Sequence, residues 1–178
     1  MIRTIAAVCL LAIAAAPAAF ADSRVELDAK VQEALTQFAK HTSAGAELAA
    51  KAHGVLVFPS VIKAGIGIGG EYGEGALQIG GKTLDYYSIA AASIGLQLGA
   101  QARTEIILLM TADALKSFRD SQGWKAGVDG SVALATLGAG GTIDTQTAQK
   151  PIIGFIFSNK GLMYNLTFEG SKITKIQK

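Results

Sequence analysis

The chain of 178 residues has a single cysteine. Cys9 falls inside an N-terminal apolar run, so from residue 22 onward there is no disulfide, no thiol nucleophile and no thiolate metal site. Histidine is scarce as well. His41 and His53 both fall in a stretch read as helical, and no carboxylate ladder joins them. There is no G-x-S-x-G elbow and no G-x-x-x-x-G-K-[ST] phosphate loop. Gly65-Ile66-Gly67-Ile68-Gly69-Gly70 does contain G-x-G-x-x-G. It is followed by Glu71-Tyr72-Gly73-Glu74-Gly75, where a dinucleotide fold would open a helix. Enzymes need polar groups that converge in a pocket. These absences predict a non-enzymatic protein with no cofactor and no metal site.

Charge of one sign is also missing. The net charge is +2, or +1 without Arg3, too balanced for a general nucleic-acid binder. Toward the end the balance tilts: Lys150, Lys160, Lys172, Lys175 and Lys178 stand against Asp144 and Glu169. Such a basic end is either a solubilising tail or an attraction to anionic headgroups.

Residues 1–21 have the three-part layout of a cleaved secretory signal. Arg3 supplies the positive start, residues 5–16 are apolar and uncharged, Pro17 breaks the run, and Ala19-Phe20-Ala21 offers small residues for cleavage. The run is too short to span a bilayer of about 30 Å as a helix. No second uncharged apolar stretch near that length follows, apart from glycine-broken ones. The expectation is a signal at 1–21 and one domain at 22–178, helical over 22–53 and β-rich over 54–178.

Glycine is plentiful. All 21 glycines follow the signal, and eight lie within residues 65–81. They alternate with Ile, Leu, Val and Tyr rather than Ser, Pro or Gln, which is unlike disorder. Residues 23–40 place Leu27, Val31, Ala34, Leu35 and Phe38 on one helical stripe, with Ser23 and Glu26 as a capping box. A second helix covers 44–52, with Ser43 as N-cap and Gly54 as its stop. From residue 54 the period becomes two. Strands are expected at 54–59, ended by Pro59, then at 62–72 and 76–79. Gly80-Gly81 forms a primed turn into 82–87. Further strands are expected at 88–101, 105–110, 128–137, 152–158, 162–168 and 173–176, with a short helix after Thr111 and a loop at 138–150. The fold class is α+β: curved, glycine-rich antiparallel strands in a barrel or sandwich, with N-terminal helices and one short central helix.

Gly54-Val55-Leu56-Val57-Phe58-Pro59-Ser60-Val61-Ile62-Lys63-Ala64-Gly65 resembles the SYLF domain family, known as a lipid-binding or yeast-type actin-binding domain. The likeness continues through 69–75, 93–101, 106–110, Ala114-Leu115, 127–133 and 158–162. One departure is Tyr86-Tyr87, in a segment where relatives often carry tryptophan. The resemblance implies binding to anionic membrane phospholipids through an amphipathic N-terminal helix and basic residues. It sets Leu27, Val31, Leu35 and Phe38 in the place of the lipid-touching helix, and Lys63 on the family's lysine. Lys30, Lys40 and Lys51 would join Lys63 in meeting headgroup phosphates. Two plainer readings stay open: the stripe packs on its own domain, and Lys63 pairs with Glu71 or Glu74. Eukaryotic relatives also bind actin, whereas exported bacterial members would not meet it. The expected protein is peripheral to a membrane in the periplasm or cell envelope. The alternative is an envelope module that binds a protein partner on a flat β surface.

Overall fold

The computed structural model describes residues 22–95, 100–137, 141–158, 161–163 and 166–178. The expected signal at 1–21 lies outside the described residues, as do residues 96–99 of the expected 88–101 strand.

Helix α1 spans Arg24–His41 and starts with the expected capping box: the Ser23 hydroxyl accepts from the Glu26 N–H, and the Glu26 carboxylate accepts from the Ser23 N–H. Helix α2 spans Ser43–Lys51, and its N-cap is Thr42 rather than Ser43. Thr42 serves both helices. Its N–H closes α1 on the Phe38 carbonyl, and its hydroxyl accepts from the Gly45 N–H at 2.9 Å. Gly45 lets α2 come this close, because a Cβ there would lie 2.7 Å from the Phe38 ring. The expected stop at Gly54 is instead the first residue of a strand, and α2 ends at Ala52.

The strands are β1 (Gly54–Ile79), β2 (Lys82–Gly95), β3 (Ala100–Leu109), β4 (Trp124–Lys125), β5 (Ala133–Leu134), β6 (Ile152–Ser158), β7 (Gly161–Leu162) and β8 (Lys172–Ile176). Helix α3 (Ala112–Asp120) is capped by Thr111, as expected, and α4 (Thr145–Ala148) lies within the expected loop. The sheet order is β4-β8-β2-β1-β3-β6-β5, with β7 on β6; among the described pairings of these strands the β5–β6 one is parallel and the rest are antiparallel. The result is the expected α+β fold, its sheet curled into a half-barrel.

The three strands expected over 54–79 are one strand of 26 residues. Pro59 does not end it. It sits within the register shift between Phe58 and Val61, where a missing N–H costs no ladder bond. The strand's first part pairs with β3 over 54–64 and its second with β2 over 67–79. The two parts fold over one another, backbone on backbone. A Cβ at Gly73 would come within 2.7 Å of the Ser60 carbonyl, and one at Gly75 or Gly69 would strike the carbonyls of Val57 and Ala64. The bare glycine face is the contact surface of that fold. Gly80 and Gly81, at φ +58° and +76°, make the primed turn.

The curl encloses an inner core that includes Phe58, Ile107, Leu109, Phe118 and Trp124. On the outer face α1 covers Val57, Ile106, Leu108, Ile153 and Phe155. Strand β6 is buried on both sides, which accounts for its unbroken apolar run. Of the strand expected at 128–137 the two-residue β5 is present, and of that expected at 162–168 only Leu162 lies in a strand, β7, among the described residues, which leave out 164 and 165.

Candidate functional site

The lipid-facing stripe expected on α1 is turned inward. Leu27 and Val31 are fully buried, Phe38 is 1% exposed, and Leu35 is half-buried against the same cluster. Phe38 meets Phe155 edge-on at 4.8 Å and stacks on Phe157 at 5.9 Å. The cause is complementarity. The outer sheet face would otherwise leave its own apolar residues bare, and each large side chain buried is worth about 1.5–3 kcal/mol. Polar contacts fix the docking: Asp28 accepts from Thr83 at 3.0 Å and from Tyr86 at 2.9 Å, and Arg24 donates to the Tyr86 oxygen. For Leu27, Val31 and Phe38 the expectation of lipid contact is therefore corrected: they are core residues.

The four expected lysines do not converge on one site. Lys30 is exposed and pairs with Asp22 at 2.6 Å. Lys40 and Lys51 are exposed in the last turns of α1 and α2. Lys63 is mostly buried, with its ammonium 3.2 Å from Glu71.

Lys63 belongs to a cluster inside the fold of β1. Arg103 donates to Glu71 through Nη2 and to Glu105 through Nε, the latter at 2.6 Å. Glu105 is 1% exposed, and its second oxygen is buried without a partner among the described residues. Burial pushes the Glu105 carboxyl up from its ordinary value, against the pull of Arg103. Two cations and two carboxylates balance, and together they clamp β1 to β3. Glu71 and Glu74, three residues apart on β1, face opposite sides of the strand, and each is held by a cation. Glu74 accepts from Lys178 at 2.5 Å and from the Tyr72 hydroxyl at 3.0 Å. Burial and the neighbouring Glu74 raise the Tyr72 phenol to about 12. The sequence signal for the clamp was a glutamate inside the apolar run 105–110.

Sequence reasoning missed a different feature entirely. Tyr72 pairs with Ala90, Ala90 with Lys172, and Lys172 with Lys125, which makes one row across β1, β2, β8 and β4. Directly paired residues share a face. The next row, Gly73–Ile89–Ile173–Trp124, faces the inner core, so this row faces outward. Helix α1 covers the outer face only as far as Ala76, Tyr86 and Ile176. Tyr72 is 45% exposed, and Ala90, Lys172 and Lys125 are exposed. Lys125 and Lys172 thus stand side by side with Cβ atoms about 5 Å apart. Among the described residues neither makes a salt bridge, although Asp129 accepts from the Lys125 backbone N–H. The row could not be read from the sequence because β4 is only two residues long.

No helix among the described residues is long and apolar enough to cross a membrane. A family model described as "Ysc84: Las17-binding protein actin regulator" matches residues 90–178, half of the chain. No curated protein matches it. The match begins inside β2 and takes in the clamp's Arg103 and Glu105 and both lysines of the outer row. The chain belongs to the Ysc84 (SYLF) family.

Proposed function

We propose that this protein is exported and attaches, without catalysis, to anionic phospholipid at a membrane surface. The observation that carries this reading is the Lys125–Lys172 pair. Like charges placed directly opposite on a sheet repel, and an anion between them relieves the repulsion. The row carries an exposed tyrosine at its far end, and tyrosine favours the membrane–water interface. Family membership supports a lipid partner. An exported protein would not meet actin, so the actin role named for the family is not carried over.

With α1 docked, attachment is electrostatic rather than insertive. Each lysine near an anionic surface contributes about 1 kcal/mol, so binding is modest and weakens with salt. The test is flotation with phosphatidylglycerol or phosphatidylcholine vesicles. Binding is expected to the first only, lost as salt rises, and reduced about tenfold or more in the Lys125→Glu/Lys172→Glu double variant. Equal flotation with both vesicles, or with neither, overturns the reading.

A further inference from the structure

On the other side of β8, a cleft of about 330 Å³ opens between α3, β2 and the start of β1. Its walls carry His53, Asp85, Lys116, Arg119, Asp120 and Lys175. Two of the cations are already held: Lys175 pairs with Asp85 at 2.5 Å, and Lys116 pairs with Asp120 one helical turn away. Arg119 forms no ion pair among the described residues. The cleft therefore has an unneutralised guanidinium in company with two pinned ammonium groups.

A second observation comes from beside the cleft. Tyr87 is 5% exposed, its ring packs on Phe118 at 5.0 Å, and its hydroxyl has no hydrogen-bond partner among the described residues. Tyr87 pairs directly with Lys175 across β2 and β8 and lies two residues from Asp85 on the same strand face, so it stands beside the cleft that Lys175 and Asp85 line. Burial and Asp85 raise its pKa to about 12, so at neutral pH it is a proton donor. An arginine fork and a spare O–H donor suit an oxyanion with several acceptor oxygens. A phosphate monoester carries roughly −1.5 to −2 charges at pH 7 and three such oxygens, where a carboxylate brings one charge and two oxygens. Ala112 and Leu115 give the cleft an apolar lip, against which the esterified carbon chain can lie.

We infer that this cleft is a binding site for a phosphate monoester group, gripped by Arg119 with Lys116 and Lys175 beside it and the Tyr87 hydroxyl at its side. The group could belong to a lipid headgroup or to a soluble metabolite, and the site does not depend on the outer row.

The test is a calorimetric and NMR titration of the purified protein with inorganic phosphate, glycerol 3-phosphate and acetate. Phosphate and glycerol 3-phosphate are expected to shift the amides of α3 and β8, with acetate at least tenfold weaker. Arg119→Gln should weaken phosphate binding about tenfold, while Lys82→Gln, at the remote hairpin turn, leaves it unchanged. Glycerol 3-phosphate binding tenfold more tightly than phosphate supports a headgroup source, and equal binding supports free phosphate. No saturable binding of either, acetate binding as well as phosphate, or unchanged binding in an Arg119→Gln protein of native circular dichroism overturns the site.

Discussion

The ammonium of Lys63 lies 3.2 Å from the carboxylate of Glu71, eight residues further along the same strand. In an extended strand those residues would be about 26 Å apart. The contact thus measures how sharply β1 doubles back. Arg103, on the neighbouring β3, holds the same carboxylate and passes the link on to Glu105. Charge thus ties β1 to itself and to β3 here, while aliphatic and aromatic packing makes the inner core.

The doubling back requires a bare strand face, and alanine substitutions test this. A Cβ at Gly75 collides with the Val57 carbonyl, which is backbone and cannot swing aside, whereas one at Gly70 makes ordinary contact at 3.6 Å with the Ala91 carbonyl. Gly75→Ala is expected to destabilise by about 3 kcal/mol or more, and Gly70→Ala by less than about 1 kcal/mol. Urea unfolding of the two variants checks this, and equal losses would contradict the geometry.

The clamp predicts a pH dependence. Burial raises the folded pKa of Glu105 above its ordinary value of 4.5. A raised carboxyl contributes stability in full below the unfolded pKa, and that contribution is lost as pH rises through the folded pKa. Glu105→Gln keeps an acceptor for Arg103 but cannot ionise. The stability of Glu105→Gln minus that of the natural protein should therefore increase from pH 4.5 to pH 8. Taking the difference cancels the other titrations. A difference that falls as pH rises would show that the ionised Glu105–Arg103 pair stabilises the fold on balance.

What the sequence disclosed, and what it hid, follows from the range of the interactions involved. The α1 capping box, the Thr111 cap and the Gly80-Gly81 turn are settled within a few residues, and each was readable. The uninterrupted passage of β1 through Pro59 was not, because it depends on a register shift against β3. The direction of the α1 stripe was legible as a stripe only. Periodicity tells that Leu27, Val31 and Phe38 share a face, but the cover for that face comes from Val57, Ile106 and Phe155. The Lys125–Lys172 neighbourhood is a cross-strand fact, and its spacing in the chain gives no hint of it.

Since the stripe is core, its variants should report on stability. Phe38→Ala is expected to cost about 3–5 kcal/mol in chemical denaturation. Phe38→Leu, a milder change, should leave a folded protein whose flotation with phosphatidylglycerol vesicles matches that of the natural chain. Loss of flotation at unchanged stability would return the stripe to the lipid.

The opposed lysines offer a test that needs no ligand. If Lys125 and Lys172 repel across β4 and β8, removing either charge relieves the whole strain. Lys125→Gln and Lys172→Gln should each raise stability by about 0.2–1 kcal/mol at low ionic strength. The double variant should gain no more than the larger single, because the second substitution finds no repulsion left to remove. At 1 M salt the Debye length falls to about 3 Å, shorter than the spacing of the pair, and the gains should vanish. A thermal-unfolding cycle of the four proteins at both salt concentrations reads all of this. Additive gains, or losses insensitive to salt, would mean that the lysine stems stabilise the edge by packing and that no charge is waiting there for an anion.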